Sequence, residues 1–214
     1  KTSGGLSFLR FAEADTIGNV DVLFMGSSHC YRTFDTNWYA ENGIKSFNFG
    51  STSQSPLISY NLARKYLDKM TPELVVFEIY SELLRSDGTE SLIDLLTNRP
   101  LDLNLFQTTM SIGSIKAWNA FLVRIMRIRN RFSKTSPPKY SPLNGEYVSG
   151  GFVKRGVDFG GITEYDGSNL PISNKQLDYL DRFIEEVLKR DIDMIVIAQP
   201  LPKSTISTIR DHDE

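Results

Sequence analysis

Cysteine is all but missing from this chain. Cys30 is the single one, so no disulfide can close within it. That leaves the redox compartment open, because envelope proteins without disulfides are common. Histidine is scarce as well, with His29 and His212 the only two. No Cys/His spacing suits a metal, and Asp87, Glu90 and Asp94 lack the spacing of a calcium loop. There is no phosphate-cradling glycine loop and no dinucleotide glycine pattern. No metal and no cofactor is therefore expected. No apolar run approaches the roughly 20 residues that span a bilayer. Nor is there an excess of charge: 24 basic against 26 acidic residues give a net charge of −2, with no sign of a nucleic-acid partner.

What is present suits one α/β domain. The 214 residues are 40% hydrophobic and 23% charged, enough for a full core. Residues 21–26 read as a short buried strand stopped at Gly26. A short helix, a turn at Asn42-Gly43 and a second strand over residues 45–49 follow. Leu57, Tyr60, Leu62, Ala63, Tyr66 and Leu67 recur at helical spacing over residues 55–70, and Pro72 is expected to stop that helix. "ELVVFEIY", residues 73–80, is a third strand rich in β-branched and aromatic residues. Near the other end, Ser173 can cap a helix whose Leu177, Leu180, Phe183, Ile184, Val187 and Leu188 face the core. "DMIVIAQP", residues 193–200, is a fourth strand. Strands alternating with helices predict a parallel sheet in a three-layer α/β/α sandwich, flavodoxin-like in character.

Residues 84–170 interrupt that rhythm and read as a mainly helical insertion in a single domain spanning residues 1–214. One helix is expected over residues 89–98, with Thr89 as its cap, and a longer one over residues 114–133. Residues 134–161 are rich in Pro and Gly and poor in periodicity. The longer helix carries Ile115, Trp118, Phe121, Leu122, Ile125, Ile128 and Phe132 on one stripe. Lys116, Arg124, Arg127, Arg129, Arg131 and Lys134 share residues 114–134 with no acid. The favoured expectation is a cap helix with its stripe packed and its arginines in solvent. The alternative is contact with an anionic membrane surface or polymer.

In open α/β sheets, ligands bind beyond the carboxyl ends of the strands. Three polar loops leave those ends: residues 26–29 (Gly-Ser-Ser-His), residues 50–54 (Gly-Ser-Thr-Ser-Gln) and residues 80–82 (Tyr-Ser-Glu). A serine there has backbone N–H groups nearby that can hold an oxyanion. Gly-Ser turns are also ordinary helix-cap chemistry, and the second loop strengthens the functional reading.

"VLFMGSSH", "FNFGSTSQ" and "PELVVFEIYSEL" together resemble the SGNH (GDSL-like) hydrolase superfamily. The likeness is to its divergent envelope branch, which includes teichoic-acid D-alanyl transfer and alginate O-acetylation proteins. It covers residues 21–83, and residues 173–200 by architecture. It implies Ser28 as nucleophile, with Ser27 where the family usually has aspartate. It implies Ser28 and Gly50 as oxyanion donors and Ser27, His29, Ser53, Gln54, Ser81 and Glu82 as pocket residues. The family's asparagine in the third block and its closing Asp-x-x-His have no match here. His29 is read as a pocket wall, a substrate contact or plain packing rather than the base, since adjacent side chains on a turn diverge. Cys30 is read as a small buried residue. The expected activity is a serine esterase or O-acyltransferase acting on acylated envelope glycan or another carbohydrate ester. The alternative is an inactive module that binds glycan or a partner. The resemblance also implies the cell envelope or periplasm, with a signal or anchor removed and the catalytic end of the fold lying past this chain.

Overall fold

A computed structural model of the chain describes residues 6–79, 81–129, 145–156 and 171–198. The elements begin with α1 (Leu6–Ala14), β1 (Val22–Met25), α2 (Cys30–Thr33), α3 (Thr36–Glu41), β2 (Ser46–Asn48), α4 (Pro56–Met70) and β3 (Leu74–Ile79). They continue with α5 (Ser81–Arg85), α6 (Thr89–Asn98), α7 (Leu103–Ile112) and α8 (Ile115–Arg129). Last come β4 (Glu146–Tyr147), β5 (Val153–Lys154), α9 (Asn174–Leu188) and β6 (Asp193–Ala198).

Four strands form a parallel sheet in the order β2-β1-β3-β6. Near-continuous apolar runs suit strands covered on both faces. Leu23, Phe47, Val75 and Phe77 meet Leu57, Leu62 and Tyr66 of α4 and Phe183 and Val187 of α9 in the main core. Phe24 and Val76 form a smaller cluster on the other face with Cys30, Phe34 and Tyr39. The Phe24 and Phe34 rings stack at 4.4 Å. The chain is thus an α/β fold with helices on both faces of a parallel sheet.

α4 ends at Met70 as expected, with a left-handed Thr71 (φ 38°) directly before Pro72. Other local expectations need correction. Gly88, not Thr89, is the cap of α6, and Thr89 lies in the first turn with its N–H and hydroxyl on Asp87. Ser173 makes no side-chain cap bond on α9, where Leu177 and Leu188 are exposed. Gln176 and Glu186 are buried instead. Gln176 accepts from the Leu57 N–H and donates to the Ser86 carbonyl, and that pairing makes its burial affordable.

Periodicity misses α1 and α7. The inward side of α1 includes Arg10, which is 1% exposed, lies 4.5 Å from the Tyr31 ring centroid and donates to the Gly151 carbonyl at 2.9 and 3.1 Å. Burial pulls its pKa down. In α7 the buried Thr108 and Thr109 return their hydroxyls to the carbonyls of Asn104 and Leu105, so polar residues take core positions. The Pro/Gly-rich stretch contains an antiparallel hairpin of β4 and β5. Glu13 of α1 receives Ser149 and the Gly150 N–H, and the Gly150 carbonyl accepts from Asn48 N–H at 2.6 Å. The hairpin therefore shields the outer edge of β2.

The basic helix is a cap in part. Ala117 and Phe121 are buried in α8, and Trp118 packs on Phe106 and Phe121. Ile115, Leu122 and Ile125 are exposed, against expectation. Arg124 does not face open solvent but donates to the Arg99 carbonyl. The side chains of Ile128 and Arg129, and residues 130–134, lie outside the described residues. No described helix is long and apolar enough to cross a membrane.

Phe77 is fully buried and meets the Phe183 ring edge-on at 4.8 Å, joining the sheet to α9. Phe77→Ala should cost about 3–5 kcal/mol by chemical denaturation.

Candidate active site

The order β2-β1-β3-β6 reverses direction between β1 and β3, and a doubly wound sheet opens a ligand crevice at that point. Residues 26–29 leave β1 there, and Glu78 lies in the adjoining β3. Gly26 has φ 147°, and a Cβ on it would stand 2.7 Å from both the Glu78 carbonyl oxygen and Oε2. Glycine is therefore required for the turn to settle over this carboxylate.

Glu78 is the residue that sequence reasoning missed. Its side chain is fully buried. Oε2 accepts the Ser27 N–H and the Ser27 hydroxyl, each at 2.8 Å. Oε1 lies 3.7 Å from His29 Nδ1. Burial alone would raise the Glu78 pKa. Its interactions with His29 and with the Ser27 N–H and hydroxyl outweigh burial, and the net shift is downward. The visible signal was a lone acid inside an otherwise apolar strand, a position where an acid must have partners.

These bonds sort the two serines. Ser27 is 1% exposed, and its hydroxyl both donates to Glu78 and accepts the His29 N–H. Its expected place in the pocket is therefore corrected: it is an anchor under the turn. Ser28 is half-buried, and among the described residues neither its hydroxyl nor its N–H has a hydrogen-bond partner. His29 is half-buried with its ring turned to Glu78. Cys30 is fully buried, and burial raises its thiol pKa well above normal, which suppresses thiolate chemistry.

The second loop lies against the first, with the Ser51 N–H donating to the Gly26 carbonyl at 3.0 Å. The expected Gly50 oxyanion donor is corrected, because its N–H donates to Asn48 Oδ1 at 3.1 Å. A Cβ at Gly50 would stand 2.9 Å from the Ser27 carbonyl, so this glycine serves the contact between loops. Asn48, fully buried, also donates to the Cys30 and Phe34 carbonyls and so ties β2 to α2. Gln54 is corrected too: it is fully buried between the Ser51 and Ser59 hydroxyls and lines no opening. Ser53 is half-buried with φ 49°, and its carbonyl accepts the Ser91 hydroxyl of α6. Glu82 lies 3.9 Å from Arg85 on α5, while the side chain of Ser81 is outside the described residues.

A cavity of about 590 Å³ lies at the opposite, amino-terminal end of the strands, near Thr71, Glu73, Arg190 and Asp193. Arg190 there is already paired with Asp68 and Glu186. The half-buried Ser28 and His29 lie instead at the carboxyl edge, on the β1 turn.

Glu78 links this turn to pH. Its pKa is lower in the folded chain than its ordinary 4.5, so the unfolded chain takes up the proton first as pH falls. The stabilisation is complete above 4.5 and is lost as pH drops through the lower folded value. Glu78→Gln should cost about 1–3 kcal/mol near neutral pH. It should also flatten the loss of stability on going from about pH 7 to about pH 3.5, read by denaturant titration at each pH. An acid limb unchanged by the substitution would show that Glu78 does not carry it.

No protein-family model matches the chain, and no curated protein sequence matches it, so the chemistry of the site is read from its own residues.

Proposed function

We propose that the chain is a serine esterase or O-acyltransferase of SGNH type, acting on acylated carbohydrate or a similar ester, with Ser28 as nucleophile. One observation carries the reading. At the switch point of the sheet, the buried Glu78 draws Ser27 inward and leaves Ser28 half-exposed with an unengaged hydroxyl and N–H among the described residues. In the reaction, Ser28 Oγ bonds to the ester carbonyl carbon and gives up its proton to a base. The alcohol leaves with a proton, and water or an acceptor hydroxyl then takes the acyl group. The Ser28 N–H is placed on the same residue to meet the carbonyl oxygen as it gains charge. His29, oriented by Glu78, is a polar contact for the substrate beside the nucleophile. The SGNH resemblance implies a base from an Asp-x-x-His, a motif with no match in this sequence. The cell envelope is the compartment that the same resemblance implies.

A second reading has its own observation. With Gly50 N–H on Asn48, the expected pair of oxyanion donors is reduced to one. That favours a module that binds glycan or a partner without turnover.

Labelling with a fluorophosphonate separates the two. The enzyme reading expects covalent labelling of the chain at Ser28, and none in Ser28→Ala. It also expects Ser28→Ala to lower hydrolysis of an activated acetyl ester at least about a thousandfold. An unlabelled wild-type chain that still binds acylated glycan would favour the binding module.

A further inference from the structure

We propose that the outer face of α7 and α8 docks on an anionic lipid surface. Leu103 and Met110 of α7 are 69% and 57% exposed, and Ile115, Leu122 and Met126 of α8 are 80%, 53% and 61% exposed. Single exposed apolar residues are ordinary, but these fall at helical spacing on two adjoining helices. Phe106 of α7 meets Trp118 of α8 at 6.1 Å, which brings the two stripes side by side. Contiguous apolar surface of this kind marks a docking site.

Charge identifies the occupant. α8 carries Lys116 and Arg127 exposed, and neither α7 nor α8 contains an acid. Asp102, which caps α7, is already bonded to Lys65 and Arg99. On α6, which packs on α8, Asp94 is tied to Ser7 and Asn98, and Glu90 is the exposed acid. A second copy of the chain would set Lys116 and Arg127 against their like. An anionic polymer would satisfy the cations but would leave the apolar stripe in water. A bilayer with anionic headgroups meets both needs, taking the apolar face into the headgroup boundary.

The position of the face bears on the site. Thr89 and Ser114 hydroxyls lie 3.1 Å apart, joining the starts of α6 and α8. Ser91, next to that start, donates to Ser53 in the second site loop. α6 therefore links the start of α8 to the second site loop, while the docking itself does not depend on what Ser28 does.

The test is co-sedimentation of the whole chain with vesicles of equimolar phosphatidylglycerol and phosphatidylcholine, against vesicles of phosphatidylcholine alone. The expected result is binding to the anionic vesicles that weakens with added salt. Replacing Lys116 and Arg127 together by Gln should lower the affinity roughly 20- to 30-fold. Leu122→Ser with Met126→Ser should also weaken it. All four side chains are exposed, so circular dichroism and the unfolding midpoint should not change. If the serine variant misfolds, the glutamine variant decides alone. Absence of binding to anionic vesicles, equal binding to neutral ones, or wild-type binding by the glutamine variant would overturn the proposal. So would a dimer in solution that Leu122→Ser dissociates.

Discussion

A carboxylate placed inside an apolar strand has to be met by donors, and in this chain the donors come from the turn that leaves the neighbouring strand. Glu78 sits in β3 with its side chain fully buried. It receives two hydrogen bonds from Ser27 and faces His29. Unpaired, it would carry a large desolvation penalty. Paired, it pins residues 26–29 to the end of the sheet. Gly26 has to be glycine for that approach, and Ser28 is left outward as a consequence.

The second loop depends on the first. Asn48 uses both ends of its amide, accepting from Gly50 and donating to the carbonyls of Cys30 and Phe34. The backbone of the same residue donates to Gly150, so the β4–β5 hairpin is held at the edge of β2. Arg10 and Glu13 of α1 close the circuit by gripping the hairpin turn at Gly151 and Gly150. Four segments distant in the chain thus share one polar network around the carboxyl edge of the sheet. Such a network stiffens the segments it joins where its members are satisfied, and the Ser51 N–H on the Gly26 carbonyl ties the Ser28 turn to it.

The helices that follow β3 are attached at the same end. Ser91 donates to Ser53, and Gln176 of α9 holds both Leu57 and Ser86. The helices after β3 are therefore fastened to the site loops at α6 and reach outward through α7 and α8. Arg99, 1% exposed, packs over Tyr66 and Phe11 and pairs with Asp102, which anchors the start of α7 on the main core.

The parallel strands were legible because four apolar runs end at glycine or polar residues, a pattern with few other uses. The helices over residues 56–70 and 174–188 were legible from spacing alone. The turn with Ser28 was visible as a glycine and small polar residues after a strand. What could not be read were the roles set by distance. Nothing local distinguishes Ser27 from Ser28; a carboxylate 51 residues away does. Nothing in the Gly50 loop shows that its N–H is already taken by Asn48 or that Gln54 turns inward. α1 and the β4–β5 hairpin carry weak patterns because Arg10, Glu13 and Gly150 act on partners more than 100 residues away. Periodicity reports which side chains prefer the core. Which polar groups are buried, and so which remain to act, is decided by partners that the fold alone brings together.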